Sequence, residues 1–120
     1  MARCRDYTLL ALGARYAATT TGDAVDIGAS QDLLIALTVS TITGSPTSLD
    51  VKLQGSCDGT NFGDFSTAVA FTQVTSATGT ECIRLSGLGA QWVRAVATIV
   101  GGVVTTATYT FKVLVTGKTA

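Results

Sequence analysis

The chain has 120 residues, 47% hydrophobic and 13% charged, with eight basic and eight acidic side chains, no histidine and a formal net charge of zero. So little charge with so much apolar content excludes a disordered chain, and the neutral balance removes any whole-chain electrostatic case for nucleic acid or an anionic membrane. The length holds one domain, able to bury about two-thirds of its unfolded surface.

The 21 threonines against a single proline favour pleated, half-buried strands over helices. Near-zero net charge promotes association, so much of the surface is expected to be covered in the working state. Cys4, Cys57 and Cys82 are odd in number and contain no C-x-x-C, which fits neither a disulfide framework nor a zinc site. Three free thiols in a reducing compartment are expected, with a single Cys57–Cys82 bridge as the alternative.

Residues 1 to 20 differ from the rest. They hold Arg3, Arg5 and Arg15, Tyr7 and Tyr16, and the patch Leu9-Leu10-Ala11-Leu12. The apolar stretch between Asp6 and Arg15 is short for the core of a signal peptide, and none is expected. No run approaches the ~20 apolar residues of a membrane span. The pattern fits neither a clean strand nor a capped helix. Two readings stand: an N-terminal arm lying on a neighbouring subunit, or a first strand of a β-domain over residues 21–118. Arginine and aromatic residues are enriched in interfaces, which supports the arm. Its expected behaviour is that the domain folds without residues 2–16.

Thr21-Gly22-Asp23 is a turn signal, and Ala24 to Ile27 a short strand. From Asp32 to Ser40 the residues Leu33, Ile35, Leu37 and Val39 share one face. Leu34 and Ala36 on the other make the start apolar on both sides, which predicts a central strand. Thr43 to Thr47 is a loop around the proline. In Ser48–Ser56, Leu49, Val51 and Leu53 point inward while Asp50, Lys52 and Gln54 point out. Asp58-Gly59 then signals a hairpin leading to Phe62 and Phe65. Val69 to Val74 and Thr80 to Ser86 predict a second hairpin, and Gly87-Leu88-Gly89 leads into the next strand. Trp92 to Val100 and Thr106 to Thr116 predict a third, closed by a tight Gly101-Gly102 turn. Ala107, Tyr109, Phe111, Val113 and Val115 form the inward face of the last strand. The sum is an all-β fold, an antiparallel β-sandwich or jelly-roll-like small barrel of about eight strands.

Catalytic constellations are missing. Nucleophilic catalysis has no histidine base to draw on. Asp23 and Asp26 face opposite sides of a strand. The Asp58 loop lacks the alternating ligands and distal glutamate of a calcium hand. There is no phosphate loop. The chain is therefore read as a non-enzyme with no cofactor and no metal site. Trp92 and Tyr109 would serve a sugar-stacking platform, the basis of an alternative carbohydrate-binding adhesion module. The plainer role for Trp92 is a half-core anchor. Arg94 shares its face and either packs on it or, with Arg84, meets a partner's carboxylates.

Four segments together resemble small structural proteins of tailed bacteriophages: Thr21 to Gly28 (TGDAVDIG), the Ser56 to Phe62 turn (SCDGTNF), Trp92 to Ala95 (WVRA), and a closing strand ending at Gly117. The resemblance departs at Cys57, often proline, and Phe62, often tryptophan. It implies a virion component, most like a capsid decoration (cement) protein, with other head or tail proteins as the alternative. It also implies synthesis in the host bacterial cytoplasm and a place on the capsid surface. The implied partners are the major capsid protein and further copies of itself, trimers among them, with no nucleic acid and no membrane. The candidate contact residues are Arg3, Arg5, Tyr7, Leu9, Leu10, Arg15, Tyr16, Trp92 and Arg94.

Overall fold

The computed structural model describes residues 4–15, 19–27, 32–44, 46–64, 70–86, 92–101 and 107–118. Among them the chain forms nine strands: β1 (Cys4–Arg15), β2 (Thr19–Thr21), β3 (Val25–Asp26), β4 (Asp32–Thr43), β5 (Ser48–Ser56), β6 (Gly63–Asp64), β7 (Gly79–Ser86), β8 (Trp92–Val100) and β9 (Thr108–Lys118). No helix of the described residues is long and apolar enough to cross a membrane.

Alternation decides which side of each long strand is buried. Tyr109, Phe111, Val113 and Val115 of β9 turn inward, as do Leu33, Ile35, Leu37 and Val39 of β4. Leu49, Val51 and Leu53 of β5 and Val93, Ala95, Ala97 and Ile99 of β8 do the same. Removing each large side chain from water is worth roughly 1.5–3 kcal/mol, and a sheet with one apolar face realises that only against a second sheet. The strands accordingly form a first sheet in the order β1-β9-β4-β7 and a second in the order β2-β8-β5-β6, with β3 also on β8. Every pairing is antiparallel.

The chain changes sheet at nearly every connection: β1 in the first, β2 and β3 in the second, β4 in the first, β5 and β6 in the second, then β7, β8 and β9 alternately. This is the eight-stranded jelly-roll order, with one strand split into β2 and β3. Gly22, in the gap, keeps its amide on the carbonyl of Ala95 of β8 at 2.8 Å. As the Asp32–Ser40 pattern predicts, β4 is central, between β9 and β7.

Two expected hairpins are replaced by crossings between sheets. β8 pairs with β5, β2 and β3, whereas β9 pairs with β1 and β4. A two-residue turn would start the last strand at residue 103, but β9 starts at Thr108. Gly101 (φ +72°) does turn the chain at the end of β8, with the Thr47 side chain where a Cβ would sit; Gly102 lies outside the described residues. Likewise Ala70 and Val74 bridge to Lys52 and Leu49 of β5, while β7 pairs with β4. Phe65, Val69 and Gly87 to Gly89 lie outside the described residues. A period of two specifies which face is buried, not which strand lies alongside. The Asp58-Gly59 hairpin forms, joining β5 to β6 through Gln54↔Asp64 and Gly55↔Gly63. Cys57 and Cys82 are both free and exposed, so no bridge joins them.

Cys4–Arg15 is an edge strand of the first sheet. Its register with β9 slips twice, between Thr8 and Leu10 and again between Leu10 and Gly13. Each slip adds a residue and flips the strand's phase. That lets the consecutive residues Leu9 and Leu10 both enter the core, 2% and 5% exposed, and leaves Leu12 outside. The expectation that residues 2–16 are dispensable for folding is corrected: their loss would empty two core positions and bare the edge of β9. Leu9→Ala is expected to cost about 2–5 kcal/mol, and Leu12→Ala under about 0.5 kcal/mol, in urea unfolding. Equal small losses would place β1 outside the cooperative core.

Candidate interaction surface

The outward face of the second sheet carries a connected set of polar and aromatic side chains. Register places Gln54 of β5 beside Arg94 of β8 on one side and Asp64 of β6 on the other, with Ser56 beside Trp92. The Arg94 Nε donates to Gln54 Oε1 at 2.9 Å, and Gln54 Nε2 donates to Asp64 Oδ1 at 3.0 Å. Lys52 Nζ completes the row, 3.1 Å from Asp64 Oδ1. These bonds, the one from Gln54 first and then that from Lys52, hold the Asp64 carboxyl below its ordinary pKa. The exposed Lys52–Asp64 pair adds little to stability, since solvent screens it. The Arg94 guanidinium lies over the Phe62 ring, 4.3 Å from its centroid, a cation–π contact.

The turn after β5 is built by its own side chains. Asp58 Oδ1 accepts from the amides of Thr60 (2.8 Å) and Asn61 (2.9 Å) and from the Ser56 hydroxyl (2.8 Å), and Oδ2 accepts from Asn61 Nδ2 (2.9 Å). Ser56 Oγ in turn accepts the amides of Asp58 and Gly59. Backbone donors first, from Asn61 and then Thr60, push the Asp58 carboxyl far below the usual range. Gly59 (φ +80°) rests on the Trp92 indole, and a Cβ there would lie 2.9 Å from Cε2. Trp92 thus anchors the turn that presents Phe62 beside Arg94.

The sequence-derived contact residues fall into different places. Trp92 and Arg94 share this face. Tyr7 packs against the core, and Leu9 and Leu10 are inside it, offering no surface to a partner. Arg15 is bound into β1: its guanidinium donates to the carbonyls of Ala11 (2.8 Å), Gly13 (3.2 Å) and Phe111 (3.2 Å) and lies 4.9 Å from the Phe111 centroid. Of these acceptors, Ala11 lies within the second slip of β1, and Gly13 and Phe111 are the register pair that follows it. Arg5 lies opposite Gly117 on the backbone; its side chain, with Arg3 and Tyr16, lies outside the described residues. The Trp92–Tyr109 sugar platform is corrected. Tyr109 is 0% exposed and belongs to the other sheet, its hydroxyl donating to the Thr75 carbonyl at 2.8 Å. Arg94 stacks on Phe62 rather than on Trp92. Phe62 and Gln54 were missing from the sequence-derived set because only register sets them beside Arg94. Among the described residues no group of three or more cysteine, aspartate or glutamate side chains is placed to hold a metal ion.

No protein-family model matches the chain, and no curated protein matches it. Among solved structures it is similar to the crystal structure of SPBc2 prophage-derived protein YomS, with 13% identity and a TM-score of 0.57 over 98% of this chain and 93% of that one. It is also similar to a chain in the structure of infectious bursal disease virus, Gx strain, with 10% identity and a TM-score of 0.62. That match covers 98% of this chain but 32% of the viral one. At such identities the likeness is one of fold. The protein belongs to the class of jelly-roll β-sandwiches.

Two measurements check this surface. Gly59→Ala is expected to cost about 1–2 kcal/mol from the left-handed backbone, and to shift the emission of the single tryptophan. An unchanged spectrum would separate the turn from Trp92. The second concerns pH. A carboxyl depressed in the folded state contributes stability above its unfolded value of about 3.9, and that contribution is lost as pH falls through the folded value. Urea midpoints are therefore expected to drop below about pH 4, and less so in Asp58→Asn. The same acid limb in both proteins would show that Asp58 does not cause it.

Proposed function

We propose that the chain is a structural virion protein of a tailed bacteriophage that binds the outside of the assembled capsid and stabilises it. The observation that carries this reading is the jelly-roll topology running through the described chain. Likeness to a prophage-derived protein over nearly the full length of both chains, and to a chain in a virus structure, supports it by fold analogy. The four-segment resemblance to phage structural proteins points the same way.

On this reading the protein works by binding energy alone, without catalysis. A part that binds only the closed shell shifts the equilibrium toward it by mass action, since its contacts must be lost before the shell opens. The partner is the major capsid protein. The proposed contact is the Trp92–Arg94–Phe62 face, because aromatic and arginine side chains held in place by neighbours form the strong centres of interfaces. Ordering costs at binding are reduced where Gln54 and Phe62 already fix the guanidinium and Trp92 already fixes the turn.

Purified protein mixed with undecorated heads is expected to co-sediment saturably, to ignore unassembled capsid subunits, and to raise the temperature at which heads open. Joint Arg94→Ala and Phe62→Ala replacement is expected to weaken binding about tenfold or more with the fold retained. Absence of binding to heads would end the decoration reading. Binding confined to one vertex would favour a head-completion or tail part.

A further inference from the structure

The outward face of the first sheet differs in kind from the Arg94 face. Read in register from β1 to β7, one row is Asp6, Thr116, Leu34 and Arg84, and the next is Thr8, Leu114, Ala36 and Cys82. Leu34 is 48% and Leu114 36% exposed, adjacent on neighbouring central strands. The first of these rows has an acid at one edge of the sheet and a base at the other. The Thr116 hydroxyl donates to Asp6 Oδ1 at 2.8 Å. The Arg84 side chain is 75% exposed and reaches Asp32 only at 3.9 Å.

We propose that this face binds a second copy of the chain, about a two-fold axis lying in the interface parallel to the strands, between β9 and β4. That operation exchanges β1 with β7 and β9 with β4. It sets Asp6 of each copy against Arg84 of the other, so the charge pair occurs twice, once at each edge. Between the pairs, Leu114 meets Ala36, Leu34 meets Thr116, and Thr8 meets Cys82. The contact is isologous and closes on itself. It is the aligned sheet-on-sheet geometry, in which twisted sheets cross at about 30°.

The charge pattern selects this axis over the other in-plane choice. A two-fold axis across the strands would exchange the two rows, placing Asp6 against Thr8 and Arg84 against Cys82. Neither charge would then meet its opposite. Opposite charges placed across an interface fix register and exclude wrong arrangements, while the apolar centre supplies the burial. This dimer does not depend on the capsid reading, because the Arg94 face lies on the other sheet and stays open.

Sedimentation equilibrium on the wild-type chain, Asp6→Arg, Arg84→Asp and the double exchange tests it. The wild type is expected to dimerise, each single exchange to weaken the dimer by about tenfold or more, and the double exchange to restore it. Circular dichroism confirms that each variant is folded. Within one chain two strands separate Asp6 from Arg84, about 14 Å, so restoration reports a contact between copies. A second test places Thr8→Cys in a Cys4→Ser, Cys57→Ser background and oxidises it with copper phenanthroline. The expected product is a covalent dimer through Cys82, because the two positions in one chain lie too far apart for a disulfide. A wild type that stays monomeric, a dimer indifferent to both exchanges, or no cross-link would overturn the proposal.

Discussion

The structure depends on one constraint, the mutual covering of two apolar sheet faces. Tyr109, Phe111, Val113 and Val115 of β9 lie at the centre of this contact, each 1% exposed or less. The second sheet contributes Leu49, Val51 and Leu53 of β5 and Val93, Ala95, Ala97 and Ile99 of β8. All of these side chains belong to one buried cluster between the sheets. The Tyr109 hydroxyl, carried inside with its ring, donates to the Thr75 carbonyl at 2.8 Å. That bond also ties the link between the sheets to the core.

Since each face needs the other, most consecutive strands are placed in opposite sheets, and this explains both what is legible in the sequence and what is not. The alternation of β4, β5, β8 and β9 is a local property, so their inward residues can be read directly. Strand partners are a global property. The runs on either side of Gly101 have the same period whether they pair at an edge or face each other across the core, and the sequence offers no local sign of which. β1 was opaque for a different reason. Its two register slips break the period of two, so an edge strand that feeds the core looks like an irregular arm. Its arginine and tyrosine looked like interface residues. Arg15 is instead bonded to carbonyls of β1 and β9 around the second slip, and Tyr7 packs on the core.

The same division runs through the candidate surface. Trp92 and Arg94, two apart on one strand, could be placed on a common face from spacing alone. Their partners could not, because Gln54, Phe62 and Asp64 reach them only through the β5–β8 and β5–β6 registers. Once assembled, the two sheets show different outer faces. One has a stacked, hydrogen-bonded guanidinium beside an anchored turn. The other has exposed leucines framed by an acid and a base. A slab with two dissimilar faces can meet two different partners at once, as the proposed place in a shell would require.

The most direct test of the proposed role is a reconstruction of the phage particle in which this chain is proposed to sit. The account predicts jelly-roll density in many copies on the outer surface of the shell, with Trp92, Arg94 and Phe62 directed at the major capsid protein. Density confined to the tail or to a single vertex, or a capsid contact made without that face, would contradict it.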